Sequence, residues 1–131
     1  MPFSTPIEVR FADLDALGHV NNATFITYLE QARWYWWEGF LEGRPFLDEG
    51  FLIARVEMDY RKSIVMEDPI RVEIRCTQVG NTSFTLGCKV VRSTDGVVMA
   101  EGQTVQVMMD FKTGRPRPLS AAAVAWLKGQ A

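Results

Sequence analysis

Histidine and cysteine are the residues this chain has least of: one histidine and two cysteines in 131 positions. With no C-x-x-C and no second histidine, a zinc site has no ligand set, and no metal or other cofactor is expected. No apolar run is long enough to cross a bilayer, and the opening Met1-Pro-Phe-Ser-Thr-Pro has no signal-peptide core, so a cytoplasmic location is expected. The formal charge of −2 gives no general pull toward nucleic acid or an anionic membrane. Phosphate-binding Gly-rich loops and the Gly-x-Ser-x-Gly nucleophile elbow are also missing. What is present is 47% hydrophobic and 23% charged. That balance, at this length, suits one globular domain spanning residues 1–131.

The most informative stretch is Asp13-Leu-Asp-Ala-Leu-Gly-His-Val-Asn-Asn22. It sets two carboxylates, a glycine turn and the sole histidine just ahead of a long aromatic segment. A strand-like run over residues 7–11 leads into it, so the acidic turn falls where a strand hands over to a helix. Asn21 or Asn22 can cap that helix, leaving first-turn N–H groups pointing outward, where they stabilise negative charge. A base or nucleophile beside such an anion site is what acyl transfer requires. The plainer alternative is that Asp13 and Asp15 only stabilise a turn, a common use of aspartate.

Residues 22–40 carry Phe25, Tyr28, Leu29, Ala32, Trp36 and Phe40 on one stripe, with Ile26, Trp34, Tyr35 and Trp37 widening it. A helix so apolar around its girth is expected at the centre, with a sheet curling about it. The Trp34–Trp37 cluster then reads as core and subunit packing. After Gly43 and Pro45 the period becomes two. Residues 51–60 read as a strand; in the next, Ile70, Val72, Ile74 and Cys76 alternate with Arg71, Glu73, Arg75 and Thr77. Gly80-Asn81 turns the chain into Phe84, Leu86, Cys88 and Val90, and Asp95-Gly96 makes a further hairpin. Over residues 97–111, Val105, Val107, Met109 and Phe111 share a face. Ser120 can cap a short helix over residues 121–128. Cys76 and Cys88 fall at inward parity on consecutive strands and could face each other as buried, reduced thiols. The fold class is α+β, with an antiparallel sheet of about five strands. Val91, Val98 and Met108 are left outward, so a partner surface is expected, most simply a symmetric homodimer.

Arg10-Phe-Ala-Asp-Leu-Asp-Ala-Leu-Gly-His-Val-Asn-Asn22, at a strand-to-helix junction, resembles the hotdog-fold acyl-CoA thioesterases, in particular the 4-hydroxybenzoyl-CoA thioesterase branch. Tyr28-Leu-Glu-Gln-Ala-Arg33, Tyr60-Arg-Lys-Ser and Gly80-Asn-Thr-Ser-Phe84 extend the likeness along nearly the whole chain. The resemblance implies a curved antiparallel sheet wrapped around one long helix and an acyl-CoA substrate. It makes Asp15 the catalytic residue, as nucleophile or general base, with Asp13 holding the turn. Backbone N–H groups around Asn22 and Ala23 would polarise the thioester carbonyl. It further implies a dimer, or a tetramer of two dimers, with active sites at the subunit interface. In some family members the position of Asn22 is aromatic, a difference that bears on the acyl pocket. His19 could act as the base, although positioning the loop or touching substrate fits it better. For the coenzyme A phosphates the candidates are Arg61 and Lys62, then Lys89 and Arg92; ordinary solvated strand-edge charges are the alternative for each. Two other readings stay open: a hotdog-fold enoyl-thioester hydratase or dehydratase, whose Asp-x-Asn-x-x-His run is absent here, and a non-catalytic acyl-CoA-binding regulator.

Overall fold

The structure, a computed structural model, describes residues 2–131. In chain order it contains β1 (Phe3–Ile7), a 3-10 turn (Phe11–Asp13), α1 (Asn22–Leu41), a second 3-10 turn (Phe46–Glu49), β2 (Phe51–Tyr60), β3 (Ile70–Val79), β4 (Ser83–Arg92), β5 (Val98–Asp110), β6 (Arg115–Pro116) and α2 (Ala121–Lys128). The strands form one antiparallel sheet in the order β1-β3-β4-β5-β2, with β6 paired to the end of β5. The sheet curls about α1, as the apolar girth of that helix predicts. Among the described residues no helix is long and apolar enough to cross a membrane.

Local chemistry accounts for most boundaries. Asn21 is the N-cap of α1, its side chain accepting from the Ala23 N–H. Ser120 caps α2 in the same way, accepting from the Ala123 N–H. The Asp95-Gly96 turn works because Gly96 adopts φ +74°. At Gly102 the need is different. A Cβ there would collide with the backbone carbonyl of Glu57, so only glycine lets β2 lie this close to β5.

The first strand lies earlier than the sequence suggests. It covers Phe3–Ile7, paired with Ile74 back to Ile70, whereas residues 8–10 leave the sheet and Phe11–Asp13 wind into the 3-10 turn. The parity of β5 is also reversed. Val105, Val107 and Met109 are half-buried on the outer face, while Thr104, Gln106 and Met108 face inward. Register dictates this, since Gln106 pairs with Phe84 and Thr104 with Leu86, both inward residues of β4. Met108 is accordingly buried, not outward; Val91 is buried too, at a register shift next to Val90 on β4, and Val98 is half-buried. Cys76 and Cys88 are buried free thiols on the inner face, but they oppose Leu86 and Ile74 and do not face each other directly.

The core is densest at the C-terminal half of α1. Trp37 is fully buried and stacks on Phe84 at 5.6 Å, with Phe40, Phe51, Trp36 and Trp126 all within 5.7 Å between ring centroids. Its indole N–H donates to the Glu49 carbonyl at 3.0 Å. Trp34, by contrast, is 46% exposed, and Tyr35 is exposed beside it, so one side of α1 stays uncovered in a single chain. Trp37→Ala is therefore expected to cost about 3–5 kcal/mol in denaturant unfolding. Trp34→Ala should cost less than half as much. Equal losses would place the packing centre elsewhere.

Candidate active site

Asp13 organises the approach to α1. Its carboxylate, buried in the turn, accepts from the Arg10 N–H at 2.9 Å, the Arg10 guanidinium at 2.9 Å and the Tyr28 hydroxyl at 2.7 Å. Its own carbonyl accepts from the Asn21 N–H at 2.9 Å. Burial pushes the Asp13 carboxyl up, but the hydrogen bonds from Arg10 and Tyr28 and the Arg10 charge outweigh it and hold the group below the usual carboxylate range. Its contribution to stability is thus present above the ordinary aspartate pKa and lost as the pH falls through the depressed one. Tyr28 is raised above its usual value by burial and by the same carboxylate.

Two residues on, the chain turns sharply. The Asp15 N–H donates to the His19 carbonyl at 2.8 Å, and the Gly18 N–H to the Asp15 carbonyl at 3.0 Å. Asp15 Oδ1 accepts from the N–H groups of Leu17 and His19 at 2.9 and 3.3 Å. Gly18 takes φ +77°, which favours glycine. Leu14 bridges Val20 across the base of the turn, and the Val20 N–H donates to the Ile64 carbonyl at 2.8 Å. Asp15 is thereby fixed but exposed, with Oδ2 free of hydrogen bonds among the described residues.

Asp15 lines a cleft of about 300 Å³ together with His19, Asn22, Tyr60, Arg61 and Lys62. At its helical side the Asn21 cap occupies the Ala23 N–H at 2.8 Å. The Asn22 N–H, at the first position of α1, has no partner among the described residues. Of the two amides singled out in the sequence, Asn22 is therefore the free donor and Ala23 the engaged one. His19 is half-buried, and its imidazole makes no hydrogen bond to a described residue. Tyr60, the first residue of the Tyr60-Arg-Lys-Ser run, has a role that the sequence does not assign. Its hydroxyl donates to the Asn22 carbonyl at 2.9 Å, and its ring packs edge-on against Phe25 at 5.1 Å, so the end of β2 is fastened to the first turn of α1. Its place just before Arg61-Lys62 was the available signal.

The four basic candidates separate. Arg61 and Lys62 reach the cleft, and both backbone N–H groups donate to the Met99 carbonyl. Arg61 also lies 3.7 Å from Asp59 and 3.6 Å from Glu101, whereas Lys62 has no ion pair among the described residues. Lys89 is not brought there: it stands on the outer sheet face, in register between Glu73 and Glu101. Arg92 is not either, being held by Asp95 at 2.7 Å and near Asp68 at 3.8 Å. No group of three or more His, Cys, Asp or Glu side chains among the described residues is placed to hold a metal. A second cavity, of about 460 Å³, lies between α1 and the start of β2, lined by Trp34, Trp37, Phe46, Phe51 and Ile53 among others. Phe51, Ile53 and the helix aromatics thus come together around one cavity.

Comparison with known proteins adds the family. The long-chain acyl-CoA thioesterase FadM of Escherichia coli is 29% identical over 114 residues, covering 83% of this chain and 84% of that protein. The acyl-CoA thioester hydrolase YbgC of Escherichia coli is 25% identical over 133 residues, covering 96% of each. A Thermus thermophilus thioesterase, solved in complex with coenzyme A and Zn, superposes with a TM-score of 0.86 at 35% identity, over 97% of this chain and 92% of that one. The family model described as the thioesterase-like superfamily matches residues 9–127, a span that takes in the Asp15 turn, α1 and every long strand. The curled sheet around a central helix is the hotdog fold of thioesterases, and the chain belongs to the thioesterase-like superfamily.

Proposed function

We propose that the protein hydrolyses acyl-CoA thioesters to the free acid and coenzyme A, with Asp15 as the reacting carboxylate. The observation that carries this reading is one juxtaposition. A carboxylate with a free oxygen and an unpartnered N–H at the start of a 20-residue helix line the same cleft. The Asn22 N–H, aided by the helix dipole, stabilises the oxyanion that forms on the thioester carbonyl. As general base, Asp15 takes a proton from water while the new C–O bond forms; the C–S bond then breaks and the thiolate leaves as coenzyme A. As nucleophile, Asp15 would add to the thioester carbonyl and displace the coenzyme A thiolate as the C–S bond breaks, and water would then open the acyl anhydride to the free acid and the Asp15 carboxylate. His19 positions the turn through its backbone and faces the substrate.

Assembly belongs to the same reading. β2 pairs with β5 on one side only, leaving the other edge of Phe51–Tyr60 open. On its inner face Ile53 and Val56 are 38% and 40% exposed, and Trp34 is exposed across the groove. Open apolar strand edges favour pairing with another chain. A second copy on this edge makes a homodimer and covers the groove that leads from the cleft; outer sheet faces can pair two dimers into a tetramer. The reduced thiols of Cys76 and Cys88 suit a cytoplasmic setting.

Asp15→Asn is expected to lower turnover of an acyl-CoA by at least about a hundredfold, followed by coenzyme A release. Asp13→Asn should instead lower stability, by about 1–3 kcal/mol. Full activity in the Asp15 variant would sink the assignment. Light scattering should give a dimer or tetramer mass, with Val56→Lys shifting it toward monomer and reducing activity; a stable, active wild-type monomer at micromolar concentration would contradict the assembly. For the coenzyme, Arg61→Ala with Lys62→Ala should raise KM for acyl-CoA about tenfold or more. A truncated thioester without the nucleotide should be little affected. Equal loss on both substrates would assign the pair to folding or the interface.

A further inference from the structure

Arg33 is unlike the other basic side chains. It lies on the buried face of α1 and is only 5% exposed, yet its guanidinium makes no hydrogen bond or ion pair with any described residue. Burial draws its pKa below the ordinary arginine value, and the neighbouring ionisable groups, Cys88 and Glu30, only partly oppose this. A guanidinium in such a place remains charged and keeps its five N–H donors in a planar fork. No fully buried side-chain nitrogen among the described residues lacks a partner, so the guanidinium still touches solvent, but so sheltered a charge without a paired carboxylate is costly and keeps its donors open to a ligand.

The small exposed part of Arg33 opens on the 460 Å³ cavity, whose walls combine five aromatic side chains with the polar Thr27, Glu30 and Gln31. This cavity and the Asp15 cleft share no lining residue, but both lie along the groove between α1 and β2. Tyr60 is bonded to Asn22 at one end, and Phe51 packs on Trp37 at the other. Between them β2 turns Ile53 and Val56 toward the groove. Arg33 follows Asn22 by three helical turns, on the same side of α1 and about 16 Å along its axis. Side chains on an α-helix lean toward its N-terminus, which for Arg33 is the end nearer the Asp15 cleft. Glu30 also lines the cavity, but as an exposed carboxylate screened by solvent.

We propose that Arg33 is a specificity-determining residue that receives a carboxylate at the far end of the acyl group, making the preferred substrates coenzyme A monothioesters of medium-length dicarboxylic acids. This rests on the thioesterase reading above. A distal carboxylate meets the guanidinium in a two-pronged, charge-assisted hydrogen bond. A plain alkyl chain of equal length strips the last water from Arg33 and returns nothing, so the unmatched cation selects against it.

The test compares octanoyl-CoA with its ω-carboxylated counterpart, suberyl-CoA, in the wild-type protein. Suberyl-CoA is expected to have at least tenfold the kcat/KM of octanoyl-CoA, and Arg33→Met should reduce that ratio at least tenfold. Arg33→Lys, which keeps the charge but not the fork, should fall between and serves if the methionine variant does not fold. A wild-type preference for octanoyl-CoA, or an Arg33→Met ratio equal to wild type, overturns the proposal while leaving thioester hydrolysis intact. So does an Arg33→Met protein that becomes monomeric and loses both activities equally, which would assign Arg33 to the contact between copies. If the wild-type protein cleaves neither substrate, the hydrolase reading fails. Ligand-induced stabilisation then decides: suberyl-CoA should raise Tm more than octanoyl-CoA in wild type and not in Arg33→Met, and equal shifts overturn the proposal.

Discussion

The candidate site depends on a buried carboxylate that takes no part in the proposed reaction. Asp13 gathers the Arg10 backbone and guanidinium and the Tyr28 hydroxyl around one side chain, and its carbonyl receives the Asn21 N–H. These bonds set the 3-10 turn against the second turn of α1. They also fix both ends of the loop over residues 14–20, so the reach of Asp15 and the exposure of the Asn22 N–H follow from them. A carboxylate in so dry a place is tolerable only because every donor is present. Removing one leaves the others facing a poorly compensated charge.

The two ends of α1 divide the work of the fold. The C-terminal half is clamped among Trp36, Trp37, Phe40, Phe84 and Trp126, where large rings bury most of the apolar surface. The N-terminal turn is held by few polar bonds and keeps one amide unpaired. That amide belongs to an exposed residue at a helix start, so water meets it until a ligand does. β2 carries the same asymmetry: Phe51 is part of the aromatic cluster, whereas Tyr60 braces the first turn of the helix.

Much of this was legible in the sequence. The Asp13–Asn22 stretch announced the turn and the helix start, Asn21 the cap, and the strict alternation of β3 its inner face. What misled was β5. Its run Thr104-Val-Gln-Val-Met108 offers valines at alternate positions, and alternation alone cannot say which face is inward. Pairing with Phe84 and Leu86 decides, and that is a long-range fact. The extent of β1 was missed for a related reason, since Phe3–Ile7 is strand only because it pairs with β3 across more than sixty residues of chain. The roles of Tyr60 and Arg33 were not legible, although both residues stand in the family-like runs. Each looks ordinary by type and spacing, and each matters through a neighbour brought in by the fold.

The reversal in β5 and the isolation of Arg33 bear on one another. Polar residues on an inner face are a local violation of the pattern that folds a sheet, and here they cluster: Thr104 and Gln106 hydrogen-bond each other, and Cys88, beside them on β4, is the neighbour of Arg33. Thr104 and Gln106 are satisfied within the sheet and carry no charge, so they do not neutralise the cation. A core designed only for stability would place an apolar side chain at position 33, because volume-matched hydrophobic residues commonly outperform buried charges. The aromatic cluster next to it shows that the fold can pack apolar groups at this depth. Where sequence rules fail in a protein otherwise consistent with them, function is the usual cause. Arg33 lies on the same helix as the free amide, along the groove between α1 and β2. The helix therefore acts as a ruler, with a charge-stabilising group at each of two fixed heights.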